Sequence, residues 1–592
     1  MKRFVAAFGL AVGLAWSGSH VAGQEGTVPA SLMAKRGEWR SYGADLANTR
    51  YSPLDQINAS NFSKLELAWR FKTDFLGPRP EFKLEGTPLM VNGRLFATAG
   101  TRRAVVALDP ETGEMLWMHS ELEGARGEAS PRKLSGRGLS YWSDGTNERI
   151  LYVTIGFRLV ALDAKTGARI SSFGKDGLVD LKEPAVIGAG DPIDPVKGEI
   201  GLHATPLVAG NVVIVGGTFS ENSGTLPSTH NNIKGLVQAY DVRTGKRLWI
   251  FRTIPMPGEF GNDSWEKDSW AVNGNNGVWT QMAIDDQLGL VYLPVETPTS
   301  DYYGGHRPGN NLFAESIVAV DMKTGQRKWH YQLVHHPIWG FDIASPPILG
   351  DVMVNGKAVK VIAQPGKQSF LYVLDRATGK PVWPIEERAV EQSDVPGEKT
   401  SPTQPFPTRP PAYDRQGSSI DYLIDFTPEL HAEAVQLVSK YKLGPIFTPP
   451  VVAKAEGPRG TLALSAGSGG SNWPGGAFDP ETHTLYISSQ SGAFYLWDLI
   501  PPKKDSDMRY IKGNPMSGEG QGGLAMLNVQ GLPLPKPPYG RISAIDLDRG
   551  DISWQIPHGE TPDNVRNHAA LKGMTIPRTG QPCAGLVGMV LT

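Results

Sequence analysis

The segment Ala107-Leu108-Asp109-Pro110-Glu111-Thr112-Gly113-Glu114-Met115-Leu116-Trp117 decides how this chain folds. An apolar run ends in Asp, Thr-Gly follows, and Trp stands eight positions after the Asp. The same register returns at Asp241, Thr244, Gly245 and Trp249, at Asp321, Thr324, Gly325 and Trp329, and at Asp375, Thr378, Gly379 and Trp383. Two weaker copies are Asp163-Thr166-Gly167, which lacks the Trp, and Asp546-Gly550-Trp554, which lacks the Thr. Locally this is a β-hairpin: the Asp side chain accepts hydrogen bonds from the turn backbone, and Gly supplies the positive φ that ends the turn. Alternating stretches such as Leu371-Tyr372-Val373-Leu374 read as strand. Trp on the returning strand is a large flat side chain suited to the gap between neighbouring sheets. The first five Asp residues lie 54, 78, 80 and 54 positions apart. A four-stranded blade needs roughly 40–50 residues, so the shorter gaps hold one blade and the longer ones a blade plus an insertion. Five Asp–Trp pairs at one spacing argue against coincident turns in a β-sandwich and predict an all-β propeller of four-stranded antiparallel blades.

Composition agrees. A chain of 592 residues with 69 Gly, 47 Pro and 40% hydrophobic residues is rich in the residues that punctuate short strands, and repeat folds are those that grow to this length as one unit. A formal net charge of −2 gives no reason to expect a nucleic-acid or anionic-membrane partner. Lys2 and Arg3, the apolar run Phe4 to Trp16, and Val21-Ala22-Gly23 before Gln24 read as a signal peptide over residues 1–23. The propeller is then expected over 24–592, exported to the periplasm, with no later stretch approaching the ~20 apolar residues of a membrane span. With Cys583 as the single cysteine, neither a disulfide nor a Cys-x-x-Cys-His haem site is available. One helix is expected within 427–438, capped by Thr427, with Pro428 in its first turn and an apolar stripe of Leu430, Ala434, Leu437 and Val438.

The repeat resembles the tryptophan-docking motif of the PQQ-dependent (quinoprotein) dehydrogenases, which are eight-bladed propellers. The likeness starts at Trp39 and Tyr42 and runs on through Thr49-Arg50-Tyr51-Ser52-Pro53-Leu54. Ser401-Pro402-Thr403-Gln404-Pro405-Phe406-Pro407 and Leu371 to Arg376 look like the glucose/alcohol dehydrogenase branch. That resemblance implies pyrroloquinoline quinone (PQQ) as cofactor, a metal ion beside it (Ca2+, or a lanthanide), an alcohol or sugar substrate, and cytochrome c or a quinone as electron acceptor. It implies roles for individual residues as well. Trp279 matches the indole floor under the quinone, while His203 and Thr218 match cofactor contacts. Glu85 and Arg137 match groups that hold PQQ carboxylates and carbonyls, Lys367 matches the cation beside the reactive quinone oxygens, and Glu221 matches a metal ligand. These residue types suit the chemistry, because PQQ carries three carboxylates and an ortho-quinone and needs cations and donors around a flat apolar slot.

The chain departs from the family pattern in four places. Where the family has its catalytic Asp, the loop His335-His336-Pro337-Ile338-Trp339-Gly340-Phe341-Asp342 carries Gly340. Residues i and i+2 of a strand share a face, so Asp342 is the favoured base and a metal ligand, with His336 or impaired catalysis as alternatives. Thr297 replaces an asparagine ligand, with Glu296 adjacent. The vicinal disulfide that caps PQQ in methanol dehydrogenases is impossible. The resemblance stops around Pro577-Arg578-Thr579-Gly580, so an incomplete last blade and a truncated C-terminus are expected. A cofactor-free propeller serving as a binding or assembly scaffold is the alternative to the enzyme.

Overall fold

The computed structural model describes residues 37–78, 81, 83–219, 229–464, 467, 469–502, 506–513, 527–582 and 587–591. The signal-peptide expectation, Glu221 and Cys583 lie outside the described residues.

Each repeat folds as the turn chemistry requires. The Asp109 carboxylate accepts hydrogen bonds from the N–H groups of Glu111 and Thr112, both at 2.9 Å, and from the Thr112 hydroxyl at 3.0 Å. Gly113, at φ +73°, closes the hairpin by donating its N–H to the Asp109 carbonyl. The same arrangement recurs at Asp241, Asp321 and Asp375. Across four of the hairpins the Trp faces an Ala: Ala107 and Trp117, Ala239 and Trp249, Ala319 and Trp329, Ala544 and Trp554. Directly after each of those Ala residues the ladder slips by one residue, a bulge that bends the strand.

Six sheets follow one another along the chain, over 89–119, 140–180, 207–252, 283–332, 348–375 and 476–557. Five are four-stranded antiparallel sheets whose strands stand in chain order. The fifth sheet has three strands, and a single bridge from Leu374 to Pro381 marks the place of its fourth. Pro381 and Pro384 have no N–H to donate to a ladder, which explains the shortening. The resemblance implies eight blades; six are counted among the described residues. The insertions around the sixth sheet build a further mixed sheet, in which Tyr495–Ile500 pairs in parallel with Val451–Val452 and antiparallel with Thr461–Ala463 and Ile511–Lys512.

The indoles join the sheets. Trp69 donates its ring N–H to Pro110 O at 3.0 Å, Trp117 to Ala164 O at 3.2 Å, Trp249 to Met322 O at 2.9 Å and Trp329 to Arg376 O at 3.2 Å. In every case the acceptor is the residue after the Asp of the next repeat. The same rings lie on the turn glycines: a methyl group at Gly113 would sit 2.5 Å from Trp69, and one at Gly379 would sit 2.5 Å from Trp329. Trp249 and Trp329 are buried, whereas Trp554, which no further sheet covers among the described residues, is 44% exposed.

The expected helix spans Pro428–Val438, with Thr427 Oγ1 accepting from Leu430 N and with Leu430, Ala434 and Val438 buried. No helix among the described residues is long and apolar enough to cross a membrane.

Candidate active site

The functional side chains converge because they occupy equivalent loops. Glu85, Arg137, His203, Trp279, Asp342 and Trp473 each stand between three and six residues ahead of the first strand of successive sheets, which begin at Leu89, Ser140, Leu207, Ala283, Ile348 and Gly476. Thr218, Glu296 and Lys367 follow second strands, which end at Val215, Pro294 and Pro365. These loops close around a cavity of about 300 Å³. Its walls include Glu85, Arg137, His203, Thr218, Trp279 and Asp342, six of the residues singled out from the sequence.

Arg137 is the hub of one wall. Its guanidinium lies 5.2 Å from the Trp279 ring centre and 4.6 Å from that of Trp473, and it donates to Glu85 and to Trp279 O, both at 3.3 Å. Lys83 also pairs with Glu85, at 3.2 Å. Arg132 donates to Phe219 O at 2.8 Å and reaches the Thr218 hydroxyl at 3.4 Å. His203 bonds through Nε2 to Lys133 O at 3.0 Å, which places the proton on Nε2. Burial and the neighbouring Arg103, Arg132 and Arg137 push its pKa well below the usual imidazole range, so His203 is neutral and offers Nδ1 as an acceptor.

The opposite wall is acidic. Asp342 is bound to Lys367 Nζ at 2.9 Å and to Thr297 N at 2.9 Å, and Lys367 also donates to Gly340 O at 3.1 Å. Burial alone would raise the Asp342 pKa, but Lys367 and Thr297 hold it below the usual carboxylate range. Glu296 accepts from the Thr218 hydroxyl at 2.7 Å and from Gly277 N at 2.9 Å, while burial and the Asp342 charge push it up to about 8. Asp301, also on the cavity wall, is raised to about 7 by burial and by Asp342, against the pull of Lys367, Lys512 and Arg307.

Lys367 is buried and paired. Thr297 spends its hydroxyl on Glu315, at 2.6 Å. His336 is buried with both ring nitrogens engaged, by Gly309 O at 2.7 Å and Glu398 at 2.6 Å, so it serves the fold rather than the cavity. Sequence reasoning missed Arg132, Asn275, Asp301 and Trp473. Trp473 carried a usable signal, since it precedes the sixth sheet as Arg137 precedes the second.

Glu315 provides a test of this electrostatic picture. Burial, outweighing the Thr297 bond, raises its pKa from the ordinary 4.5 to about 8, and its Oε2 has no hydrogen-bond partner. A carboxyl whose folded pKa is raised contributes stability that is fully present below about pH 4.5 and lost as pH rises through about 8. Glu315→Gln is therefore expected to raise the thermal midpoint over the parent by more at pH 8.5 than at pH 5. An equal shift at both pH values would show that Glu315 is charged in the fold.

The donor set fits a flat polyanion. Arg132, Arg137 and Lys83 supply positive charge beside two half-buried indoles, while the unpartnered Asn275 Oδ1 on the same wall is an acceptor that suits a ligand N–H rather than its anionic groups. For a metal ion the described residues do less: Glu296, Asp301 and Asp342 share the cavity, but no group of three His, Cys, Asp or Glu side chains among the described residues is placed to hold one.

The profile of the family described as "PQQ: Glucose/ethanol/alcohol dehydrogenase, beta-propeller domain" matches residues 39–592, and the chain belongs to this family. It is 29% identical to the quinate/shikimate dehydrogenase (quinone) of Acinetobacter baylyi, over 95% of this chain and 71% of that protein. It is 31% identical to a quinoprotein glucose dehydrogenase of Gluconobacter oxydans, over 91% of this chain and 68% of that protein. Among solved structures, the quinohemoprotein alcohol dehydrogenase of Comamonas testosteroni superposes with a TM-score of 0.60 at 24% identity, covering 88% of this chain and 67% of that one, a likeness of fold.

Proposed function

We propose that this chain is a periplasmic PQQ-dependent dehydrogenase, an eight-bladed propeller in its family's pattern, that oxidises an alcohol or sugar hydroxyl and passes electrons to cytochrome c or a quinone. The observation that carries this reading is the cavity of about 300 Å³ in which Glu85, Arg137, His203, Thr218, Trp279 and Asp342 meet. PQQ, when bound, supplies the two-electron acceptor for a hydride leaving the substrate carbon. Trp279 would lie against its flat face, with Arg137, Glu85, Thr218 and His203 around its polar edge. Lys367 would donate toward the reactive oxygens, and Asp342 with Glu221 would hold Ca2+ or a lanthanide. The walls bring fixed charges into a low-dielectric slot, where they orient a ligand more strongly than they would in water. A scaffold propeller has no use for a cation between two indoles above a buried acidic wall, and this disfavours the cofactor-free alternative.

Titration of the protein with PQQ in the presence of Ca2+, followed by tryptophan fluorescence, tests the assignment. Stoichiometric, metal-dependent quenching is expected, and Trp279→Ala should weaken PQQ affinity by about two- to tenfold, the range for loss of an aromatic stacking partner. Absence of quenching with Ca2+, and again with La3+, would remove the enzyme assignment.

A further inference from the structure

We propose that Asp301 is the catalytic base, the group that takes the proton of the substrate hydroxyl. The inference rests on the dehydrogenase reading above and assigns a step that Gly340 leaves without an owner.

Gly340 has no side chain to accept a proton, and its φ of +65° lies in the left-handed region. The space beside it is already taken, for a Cβ placed there would come within 3.1 Å of the Tyr302 hydroxyl. The tip of the Tyr302 ring thus stands beside the position where family members carry their base, and the residue before it, Asp301, is an acid on the cavity wall. Asp301 lines the cavity, and its carboxylate makes no hydrogen bond or ion pair among the described residues. The other acids are committed. Asp342 holds Lys367 and Thr297 N, and Glu296 holds Thr218 and Gly277 N. Glu315 is bound to Thr297 and is not part of the cavity wall. A base must keep a lone pair free for the incoming proton; both bonds to Glu296 fall on its Oε1, and Asp301 is the wall carboxylate with neither oxygen engaged among the described residues. The charges facing it are mixed, with Asp342, Glu296 and Glu315 opposed by Lys367, Lys512 and Arg307. Neither form of Asp301 is therefore locked by one partner.

The step balances. The hydroxyl O–H bond breaks and its proton passes to Asp301. The C–H bond breaks and its hydrogen leaves with the electron pair, for which PQQ, when bound, would supply the acceptor, and a carbonyl product remains. The protonated carboxyl then returns its proton to solvent through the open cavity.

Asp301→Asn and Asp301→Ser, each loaded with PQQ and Ca2+, test the assignment on whichever of glucose, glycerol, ethanol or quinate reduces a dye fastest with the unmodified holoenzyme. Both variants should keep the fluorescence quenching of the parent, showing an intact slot, while kcat falls by about 100-fold or more. Formate or acetate added to Asp301→Ser should restore part of the rate and leave the parent unchanged, a response that a merely structural residue would not give. A variant that quenches normally and keeps a tenth or more of the parent kcat overturns the proposal, as does a lost rate that no small carboxylate restores. A parent that fails to quench with PQQ overturns the cofactor reading and this one together, which separates the two failures.

Discussion

Replacing Arg376 by Met lowers the free energy of unfolding by about 3–5 kcal/mol, the loss typical of removing one partner from a buried ion pair. Arg376 is almost fully buried, and its Nε donates to Asp285 at 2.6 Å. Its Nη1 donates to Gly350 O at 2.6 Å and to Asp351 at 2.5 Å. Asp285 belongs to the fourth sheet, while Gly350 and Asp351 belong to the fifth. One guanidinium therefore bridges two sheets, beside the place where Trp329 docks on Arg376 O. Met restores most of the volume but strands the Asp285 carboxylate, whose own exposure is 1%. Adding Asp285→Asn to Arg376→Met should recover part of the loss, because the remaining amide is neutral. Denaturant midpoints of the parent and both variants measure this; an Arg376→Met variant within about 0.5 kcal/mol of the parent would mean that the bridge contributes only what a surface pair does.

Lys367→Met is the second large effect, and it has two signatures. Burial disfavours charge on both partners, yet Asp342 holds Lys367 above the usual lysine range and Lys367 holds Asp342 below the usual carboxylate range. Without the ammonium, burial dominates at Asp342 and its pKa rises. The parent carboxylate contributes stability that is present above its ordinary value of 3.8 and lost in acid. In the variant the sign reverses, and stability is lost as pH rises through the new pKa. The gap between parent and variant should thus widen from pH 4 to pH 8 and reach about 3–5 kcal/mol. In the PQQ-loaded protein, loss of the donor proposed for the reactive oxygens should cost about 10²–10³ in turnover. A gap that stays flat with pH, together with turnover within threefold of the parent, would place Lys367 outside the site.

The repeat was legible because it is local. Asp, Thr-Gly and Trp build one hairpin within eleven residues, and repeating that hairpin already implies sheets joined through indoles. Much of the site was legible through the family resemblance, which singled out Glu85, Arg137, His203, Trp279 and Asp342; each stands three to six residues ahead of the first strand of its sheet, which is why they meet in one cavity. What stayed hidden depends on irregular segments. Asp301 arrives on a loop whose path no periodicity describes, and Glu315 meets Thr297 only after that loop has folded back. The pairing of Lys367 with Asp342 is a tertiary fact, and it changes the meaning of both residues: the acid favoured as base is one whose pKa Lys367 and Thr297 hold below the usual carboxylate range. His336, the other acid–base candidate of that loop, is withdrawn into a pair with Glu398. The number of sheets was expected from the family rather than from the repeat, which marks six Asp turns and no more.

The indole lying over the glycine of the next turn gives most borders between sheets the same joint, made of one ring, one missing side chain and one carbonyl. Where the second sheet lacks its Trp, Arg149 donates to Val242 O at 2.8 Å in place of an indole, and Gly174 N donates to Thr244 O at 2.8 Å. Sheets flanked by the common joint share one docking geometry, and a replacement for the fourth must also keep an acid at the Asp285 position to meet Arg376. A blade from a relative that presents Trp on its outgoing strand and Gly in its turn could be spliced between Trp249 and Gly379, carrying its own lead-in loop to the cavity. Substrate range in such a propeller could then be rebuilt one wall at a time, without redesigning the core.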